Sequence, residues 1–304
     1  MNAFWLTGAH TGELRPVEAG PGVPIKALYS GISRGTEGLV WSGQVPESLA
    51  SRMRCPGQEG EFPWPVKYGY NLVGEGPDGV VFALHPHQEQ AWVDEAFVVP
   101  VPSHVPPERA VLGANMETAL NAVWDARPGP GDRIAVVGAG VVGSLVGWLC
   151  GQLPGAQVQL VDVRDRSAVA DALGVEACAP DAAVAECDLV VHTSGTAAGL
   201  STALGLAGEE ATVLELSWFR EAVRAPLGEA FHPRRLKLIS SQVGTVPADR
   251  RSRWTHKRRL ATALGLLRPC HDVLIDAESP FSALPTLLKD LPGQFCHRIR
   301  YGEP

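Results

Sequence analysis

Three glycines with the spacing Gly138-x-Gly140-x-x-Gly143 follow a short apolar run, and Asp162 stands 24 residues after the first of them. A glycine turn between a strand and a helix lets the backbone approach a pyrophosphate, whose charge is attracted by the N–H groups at the helix start. An acidic residue at the end of the next strand accepts hydrogen bonds from the adenosine ribose. The pattern therefore predicts a dinucleotide-binding site with the following residues: Gly138, Gly140, Val141, Val142, Gly143 and Asp162.

The identity of the dinucleotide is less constrained than its presence. Asp162 favours NAD, because a carboxylate repels the 2′-phosphate of NADP. Arg164 and Arg166 follow it closely and weaken this preference, so NADP remains open as the cofactor. A chain with 33 glycines also produces the spacing by chance, which leaves a glycine turn without a ligand as the alternative.

The fingerprint requires a strand before it and alternating strands and helices around it. Apolar and β-branched runs predict strands at 133–137, 158–162, 188–192 and 211–216, with a helix at 167–173. Such alternation is typical of a doubly wound parallel sheet in an α/β protein. We expect the last of these strands, 211–216, to form an edge of the sheet.

The two ends of the chain have a different character. Residues 1–117 are rich in Pro and Gly, and their short β-type runs predict an irregular, mostly β unit. These runs lie at 25–29, 80–84 and 96–100. The chain is again irregular beyond about residue 240, with one helix expected around 254–267. We therefore expect a dinucleotide-binding domain at 118–240 and a second domain formed by 1–117 plus 241–304.

Composition and charge exclude several classes of protein. The net charge of −7 argues against a general nucleic-acid binder. Six cysteines lie far apart without a C-x-x-C pair, which favours reduced thiols and a cytoplasmic location. We expect the basic run 250–259 to be a solvated face, with binding of an anionic substrate group as the alternative.

One stretch has the length of a membrane span. Residues 134–153 carry no charge, and about 20 apolar residues suffice to cross a bilayer. The stretch begins like a strand, however, and turns glycine-rich at 138–140. A strand followed by a buried helix explains the same apolarity, so we expect neither a membrane segment nor a signal peptide.

Four further motifs accompany the fingerprint. They are Ser30-Gly31-Ile32-Ser33-Arg34-Gly35-Thr36-Glu37, Tyr68-Gly69-Tyr70-Asn71-Leu72-Val73-Gly74, His192-Thr193-Ser194-Gly195 and Ser240-Ser241-Gln242-Val243-Gly244. With them the chain resembles the medium-chain dehydrogenase/reductase superfamily over nearly its whole length. The first motif is also similar to that of the bacteriochlorophyllide hydroxyethyl dehydrogenases and of related bacterial proteins of the zinc-binding dehydrogenase type.

The resemblance implies a central Rossmann domain, a GroES-like domain built from both chain ends, and an NAD(P)-dependent oxidoreductase. Its substrate would be a small molecule of the carbonyl, alcohol or enone type. Arg34 matches the family arginine that contacts the cofactor pyrophosphate, and Ser194 and Gly195 match a strand end beside the cofactor. The strand at 211–216 matches one that pairs across a twofold axis, which implies a homodimer and no membrane or nucleic-acid partner. The alternative is a non-catalytic dinucleotide-binding protein that kept the fold.

The chain departs from the family at the catalytic metal. Where zinc alcohol dehydrogenases have a Cys, a His and a further Cys, the matching positions here are Ser33, Tyr70 and Ala114, with Asn71 in place of a neighbouring Glu. These side chains lack the N and S donors that Zn²⁺ prefers, so we expect a zinc-free protein. The rival site is His85-Pro86-His87, whose two imidazoles would lie on one face of a strand but have no obvious third ligand.

Without a metal, hydroxyl and amide donors have to polarise the substrate oxygen. Tyr70 matches the position of the metal-binding His, and Ser33 and Thr36 lie on the loop that faces the nicotinamide in this family. Glu117 lies where the chain passes from one domain to the other, which in the family borders the cofactor. The resemblance thus assigns catalytic roles to Tyr70, Glu117, Ser33 and Thr36.

Overall fold

The computed structural model describes residues 1–220 and 222–302. Residues 221, 303 and 304, which the predicted domains include, lie outside the described part. The strands are β1 (Asn2–Gly8), β2 (Thr11–Pro16), β3 (Val23–Ile32), β4 (Glu59–Gly60), β5 (Val66–Lys67), β6 (Leu72–Gly76), β7 (Gly79–Ala83), β8 (Gln90–Val93), β9 (Val98–Pro100), β10 (Arg133–Val137), β11 (Gln157–Val161), β12 (Glu176–Cys178), β13 (Cys187–His192), β14 (Ala207–Glu215), β15 (Lys237–Ser240), β16 (Ile275–Pro280) and β17 (Cys296–Arg300).

The helices are α1 (Arg34–Trp41), α2 (Ala50–Met53), α3 (Pro107–Ala110), α4 (Gly113–Ala126), α5 (Val141–Gly151), α6 (Ser167–Leu173), α7 (Ala197–Leu206), α8 (His256–Leu266) and α9 (Leu284–Leu287). Short 3₁₀ turns lie at Glu47–Leu49, Glu95–Phe97, Pro269–Leu274 and Phe281–Ala283, and a π-helical turn lies at Leu227–Phe231.

Residues Asn115–Thr255 form one compact unit around a parallel sheet. Its strand order is β12-β11-β10-β13-β14-β15, which is the order 3-2-1-4-5-6 when the strands are numbered along the chain. Helix α5 packs on β10 and β11, and α7 packs on β13 and β10. The α/β class with a doubly wound parallel sheet is confirmed. In such sheets ligands bind outside the carboxyl ends of the strands where the order reverses, here between β10 and β13.

The uncharged stretch 134–153 is part of this sheet and its first helix. Ile134, Ala135 and Val136 of β10 are fully buried, since helices cover both faces of a parallel strand. Val141–Gly151 forms α5, which packs on the same strand. Within residues 1–220 and 222–302, no helix is both long and apolar enough to span a membrane.

The prediction that 211–216 forms an edge strand is wrong. Strand β14 pairs with β13 on one side and with β15 on the other. The edge is β15, whose four residues are all exposed and show no apolar alternation. A strand this short, without a buried face, gives no periodic signal in the sequence.

The segments Met1–Ala114 and His256–Pro304 form the other compact unit. One sheet has the order β2-β1-β5-β4, and a second has the order β16-β17-β3-β6-β7-β9 with β8 paired to β3. All of these pairs are antiparallel except β16 with β17. The core joins both chain segments, since Phe281 and Ile299 are buried in one apolar cluster with Phe4 and Leu72.

The boundary between the units differs from the one expected near residue 240. In the structure, the chain up to Thr255 belongs to the unit of the parallel sheet. The ring of Trp254 lies 4.7 Å from that of Trp124, and the guanidinium of Arg250 stacks on Trp124 at 4.6 Å. These aromatic contacts hold Arg250 and Trp254, the first part of the basic run 250–259, against α4.

Candidate functional site

The glycine loop between β10 and α5 has the geometry that its spacing predicts. Gly138 has a φ of +103°, a conformation that side chains other than glycine rarely adopt. A Cβ at this position would lie 2.7 Å from the backbone nitrogen of Ser194. A Cβ at Gly143 would overlap the carbonyl oxygen of Gly138, so the loop and the helix start touch only because both residues lack a side chain.

Gly140 is the N-cap residue of α5 and has no side chain that could satisfy the first N–H groups of the helix. Apart from its two chain neighbours, no atom of the described residues lies within 4 Å of where its Cβ would be, and Gly140 is exposed. Val141 and Val142 follow at the first turn and are partly exposed. Open space before unsatisfied N–H groups at a helix start suits a phosphate group.

Asp162 directly follows β11 and lies against the glycine loop. Its Oδ2 accepts a hydrogen bond from the N–H of Ala139 at 2.8 Å, and its Oδ1 accepts one from the N–H of Arg164 at 2.9 Å. The Nε of Arg166 lies 3.6 Å from Oδ2. The carboxylate is 12% exposed. It is thus positioned at the strand end as predicted, and it also fixes the loop.

The carboxyl end of β13 carries a hydrogen-bonded trio that includes one predicted residue, Ser194. His192 Nδ1 donates to Glu215 Oε2 at 2.6 Å, and His192 Nε2 lies 2.7 Å from Ser194 Oγ. Gly195, with a φ of +66°, donates its N–H to the hydroxyl of Ser217 at 3.1 Å. His192 is fully buried, whereas Ser194 is partly exposed.

In the other unit, the start of α1 holds a buried carboxylate. Glu37 is 1% exposed; its Oε1 accepts the N–H of Ser33 at 2.7 Å, and its Oε2 lies 2.9 Å from Nε2 of His87. The other ring nitrogen of His87 lies 2.7 Å from the hydroxyl of Ser30. That hydroxyl is in turn 2.9 Å from the phenol oxygen of Tyr301.

Tyr70 lies beside this buried carboxylate. The side chains of Ser33 and Thr36 lie beside its phenol group. Burial raises the pKa of Tyr70 above its usual range, and the negative charge of Glu37 raises it further, whereas hydrogen bonding to the hydroxyl groups of Ser33 and Thr36 lowers it. The structure thus brings three of the four predicted catalytic residues together, as a cluster of hydroxyl groups with a protonated phenol.

Glu117, the fourth predicted catalytic residue, lies in α4 and belongs to the unit of the parallel sheet. It is 4% exposed. Arg34 lies in the same unit as Tyr70. Its Nε donates to the carbonyl of Phe295 at 2.7 Å, its Nη1 donates to that of Leu291 at 3.2 Å, and its Nη2 donates to that of Pro292. These bonds hold the segment 291–295, and the predicted contact of Arg34 with a pyrophosphate stays a prediction.

The residues at the family's metal positions do not fit a zinc ion. Ser33 and Tyr70 offer neutral hydroxyl oxygen atoms, and Ala114 offers a methyl group. Asn71 is fully buried, donates to the carbonyl of Gly31 at 3.4 Å and accepts the N–H of Ala114 at 3.3 Å, so its amide is used by the backbone. In the described part of the chain, no group of three or more His, Cys, Asp or Glu could hold a metal.

The two imidazoles of the rival site, His85 and His87, are not arranged as the sequence predicted. Strand β7 ends at Ala83, so the expected alternation of a strand does not extend to these residues. His85 Nδ1 donates to the carbonyl of Pro86 at 3.0 Å, while His87 contacts Glu37 and Ser30. Burial lowers the pKa of His85 to about 4, so this imidazole is neutral at pH 7.

Sequence reasoning assigned no role to several residues of these clusters, among them Ser30, Tyr301, His192 and Glu215. His192 and Glu215 are register partners at the ends of neighbouring parallel strands. Polar residues that end two consecutive apolar strands were the available signal, because the carboxyl ends of such strands meet at one edge. Ser30 and Tyr301 are 271 positions apart and left no local signal.

The sequence matches no protein-family model and no curated protein. Solved structures share the fold, however. L-idonate 5-dehydrogenase from Escherichia coli gives a TM-score of 0.78 at 14% identity, over 98% of this chain and 97% of that chain. 2R,3R-butanediol dehydrogenase from Bacillus subtilis gives 0.75 at 16% identity, over 98% and 99%. An oxidoreductase from Salmonella enterica in complex with NADP gives 0.71 at 18% identity, over 99% and 99%.

These likenesses establish the fold. The chain has the fold of the medium-chain dehydrogenases, in which a Rossmann unit is combined with a GroES-like unit, as the family resemblance implied. At 14% to 18% identity, the substrates and cofactors of those proteins are properties of those proteins.

Proposed function

We propose that this protein is an NAD(P)-dependent oxidoreductase of the medium-chain type that works without zinc. It would transfer a hydride between a nicotinamide and a small carbonyl, alcohol or enone-type substrate. The observation that carries this proposal is the glycine loop of the parallel sheet. Gly138 and Gly143 allow the close approach of strand, loop and helix, and Gly140 leaves open space before the N–H groups of α5.

The cofactor half of the proposal rests on residues of the Rossmann unit. The N–H groups at the start of α5 would bind the pyrophosphate, and Asp162 would accept hydrogen bonds from the adenosine ribose. Each oxygen of Asp162 accepts one backbone N–H; Oδ2 also faces Arg166, and Oδ1 has a second lone pair that a ribose hydroxyl could use. We retain NAD as the preferred cofactor, with NADP as the alternative because Arg164 and Arg166 lie beside the carboxylate.

The catalytic half rests on the hydroxyl cluster of the other unit. When bound, the nicotinamide supplies or accepts the hydride. Tyr70 would donate a hydrogen bond to the substrate oxygen and pass its proton to the alkoxide that forms during reduction. Its raised pKa keeps the phenol protonated, which this role requires. Ser33 and Thr36 would stabilise the phenolate through their hydroxyl groups until it is reprotonated.

The zinc-independent part of the proposal is supported by the missing donors. A phenol, a hydroxyl and a methyl group occupy the positions of the family ligands, so hydrogen-bond donors would polarise the substrate instead of a metal. Elemental analysis of dialysed protein tests this directly. We expect no stoichiometric zinc, and about one Zn per chain would contradict the zinc-free assignment and redirect attention to His85 and His87.

Binding and turnover test the function as a whole. Fluorescence titration of the protein with NADH and NADPH should show saturable binding, and a screen of carbonyl and alcohol substrates should show oxidation or reduction of the cofactor. Binding of a nicotinamide nucleotide without turnover of any substrate would favour the non-catalytic alternative. Absence of binding by either nucleotide would overturn the proposal. The cytoplasmic location and the homodimer also stay predictions.

A further inference from the structure

Glu37 holds the backbone of Ser33 at the start of α1 from two sides. Its N–H donates to the carbonyl oxygen of Ser33 at 2.9 Å, and its Oε1 accepts the N–H of Ser33 at 2.7 Å. Ser33 is the N-cap residue of the helix, a position at which a serine ordinarily uses its hydroxyl as the cap. Here that hydroxyl makes no capping bond. The carboxylate of Glu37 therefore fixes Ser33, and the side chain of Ser33 lies beside the phenol of Tyr70.

A line of three buried side chains fixes Glu37 in turn. His87 Nε2 lies 2.9 Å from Glu37 Oε2, and His87 Nδ1 lies 2.7 Å from Ser30 Oγ. Ser30 Oγ lies 2.9 Å from the phenol oxygen of Tyr301. A carboxylate only accepts hydrogen bonds, so the imidazole donates at Nε2, and a neutral ring then accepts the proton of Ser30 at Nδ1. Ser30 accepts from Tyr301 in the same direction, so the line of donors ends on Glu37 and gives its carboxylate one defined position.

The negative charge of Glu37 acts on the phenol of Tyr70. Burial is the first cause that raises the pKa of Tyr70, and the charge of Glu37 is the second. Glu37 is 1% exposed, so salt and water screen this charge little. Two other titratable groups face the phenol: Cys55, and Tyr68, whose ring lies edge-on at 6.2 Å. Burial raises the pKa of Cys55 to about 12 and that of Tyr68 well above its usual range, so both are uncharged at pH 7.

We propose that Glu37 is a positioning residue of the reaction, which fixes Ser33 beside the phenol of Tyr70 and keeps a negative charge next to that phenol. The inference rests on the proposed function, because it requires Tyr70 as the proton donor. During reduction the O–H bond of Tyr70 breaks, and its proton forms the O–H bond of the product alcohol. The phenolate that remains lies beside a second anion, and this repulsion favours the return of a proton from water. Glu37 thus restores the acid for the next turnover without touching the substrate.

The ionisation of Tyr70 is measurable without a substrate or a cofactor. The chain has four tyrosines. Labelling with 3,5-difluorotyrosine gives each of them a fluorine NMR signal that shifts when its phenol ionises. The fluorine atoms make the phenol more acidic, which brings the titration to lower pH. The signal of Tyr70 is identified as the one that is lost in Tyr70→Phe.

Two variants should shift this titration in opposite directions. Glu37→Gln keeps the length of the side chain and removes its charge, so Tyr70 should ionise about one pH unit lower than in the wild type. Ser33→Ala removes a hydroxyl that stabilises the phenolate, so Tyr70 should ionise at a higher pH than in the wild type. A general loosening of the cluster would hydrate the phenol and lower its ionisation pH in both variants.

A conservative variant and a control separate the charge of Glu37 from its packing. Glu37→Asp keeps the charge on a side chain one methylene shorter, so Tyr70 should ionise within about half a pH unit of the wild type. Glu278→Gln removes a carboxylate that pairs with Arg298 and Arg300 in the same unit, and it should leave the titration unchanged. With a substrate that is reduced, the pH above which kcat falls should be lower in Glu37→Gln by the same amount as the ionisation of Tyr70.

The outcomes distinguish this inference from the proposed function. If Glu37→Gln leaves the titration of Tyr70 unchanged, or if Glu37→Asp lowers it as much as Glu37→Gln does, the role of Glu37 is wrong, and the acid role of Tyr70 is unaffected. If the titrations shift as expected but the protein binds neither NADH nor NADPH, Glu37 still controls the phenol. The proposed function then fails, and the role of Glu37 in a reaction fails with it.

Discussion

His87 Nε2 lies 2.9 Å from Glu37 Oε2, and both side chains are at most 3% exposed. A carboxylate this deeply buried needs every oxygen paired, because each unsatisfied buried acceptor costs free energy. Glu37 meets this requirement with Ser33 N–H on one oxygen and His87 on the other. The pair thereby joins the start of α1 to the segment after β7 and supports the loop that carries Ser33 and Thr36.

The first prediction concerns the stability that this pair contributes. Glu37→Gln leaves a single acceptor oxygen for two donors, so one buried donor loses its partner. We expect the free energy of unfolding to fall by about 1–3 kcal/mol. Urea denaturation of wild type and variant measures the difference. Glu278→Gln is the control: its carboxylate pairs with Arg298 and Arg300 at the surface, and the expected loss is below about 1 kcal/mol. Equal losses of unfolding free energy in the two variants would contradict the predicted contribution of the buried Glu37–His87 pair to stability.

The second prediction concerns acid sensitivity. Burial, followed by the charge of Lys67, lowers the pKa of His85 from 6.5 to about 4. The unfolded chain therefore binds more protons between these pH values, and the free energy of unfolding falls as the pH falls from about 6.5 towards 4. At pH 5 the loss from this one histidine is about 2 kcal/mol relative to pH 7.

Burial lowers the pKa of His271 in the same direction, so the pH dependence of the wild type contains more than one histidine. A variant is needed to isolate the contribution of His85. His85→Asn keeps a donor for the carbonyl of Pro86 and removes the titrating group. The difference in unfolding free energy between pH 7 and pH 5 should shrink by about 2 kcal/mol in this variant, whatever its absolute stability. If the change in unfolding free energy between pH 7 and pH 5 is the same in the variant as in the wild type, the predicted lowering of the His85 pKa is wrong.

The third prediction tests the catalytic role of Tyr70. Tyr70→Phe removes the phenol proton and keeps the ring, so we expect kcat to fall by about 100-fold, the lower part of the range for general acids, with little change in NADH affinity. Tyr68→Phe is the matched control, because its hydroxyl donates to the carbonyl of Met53 at 2.9 Å and has no assigned role in the reaction. Steady-state kinetics measures kcat for both variants. Similar kcat values for the two variants would remove Tyr70 from the mechanism.

Much of the Rossmann unit could be predicted from the sequence. The bounds of β10 and α6 agree with the predicted segments 133–137 and 167–173, because parallel strands buried on both faces give continuous apolar runs and a short helix ends at Gly174 in a left-handed conformation. The glycine loop was predictable because the spacing of its three glycines is itself a local pattern, although Gly138 is required by a contact with Ser194 on the neighbouring strand end.

The networks behind the candidate site could not be predicted in this way. The hydroxyl of Ser30 bonds to Tyr301, at the far end of the chain, and His87 bonds to Glu37, 50 positions away. Such contacts depend on the pairing of β17 with β3 and on the path after β7, neither of which leaves a periodic signal. The position of His192 beside Glu215 likewise required the register of β13 and β14.

The fourth prediction concerns the choice between NAD and NADP. Asp162 accepts the N–H of Ala139, which is fully buried, so Asp162→Ala would leave that donor unpaired. Asp162→Asn keeps an acceptor oxygen and removes the charge, which makes it the better test. NADH binding should weaken by about 1.5–3 kcal/mol, the value of a hydrogen bond to a charged group, and NADPH binding should stay constant or improve. Fluorescence titrations measure both.

The control for this variant is Asp165→Asn, which removes a fully exposed charge three positions further on. It should leave both affinities unchanged, because an exposed charge outside the glycine loop is screened by solvent. If Asp162→Asn changes the affinities for NADH and NADPH equally, Asp162 does not discriminate between the two, and the preference for NAD is wrong.

The last prediction concerns assembly. Within residues 1–220 and 222–302, β15 pairs with β14 on one side only, and its Leu238 and Ile239 are 39% and 37% exposed. Proteins rarely leave an apolar edge strand open, and pairing across a twofold axis covers it with an identical strand. We therefore expect a homodimer through β15 rather than through 211–216. A charge on the edge opposes strand pairing, so Ile239→Lys should shift the dimer towards monomer in light scattering at micromolar concentration. Val184→Lys, at an exposed apolar position away from β15, should leave the dimer intact. A monomeric wild type, or equal dissociation by the two variants, would show that β15 is not the interface.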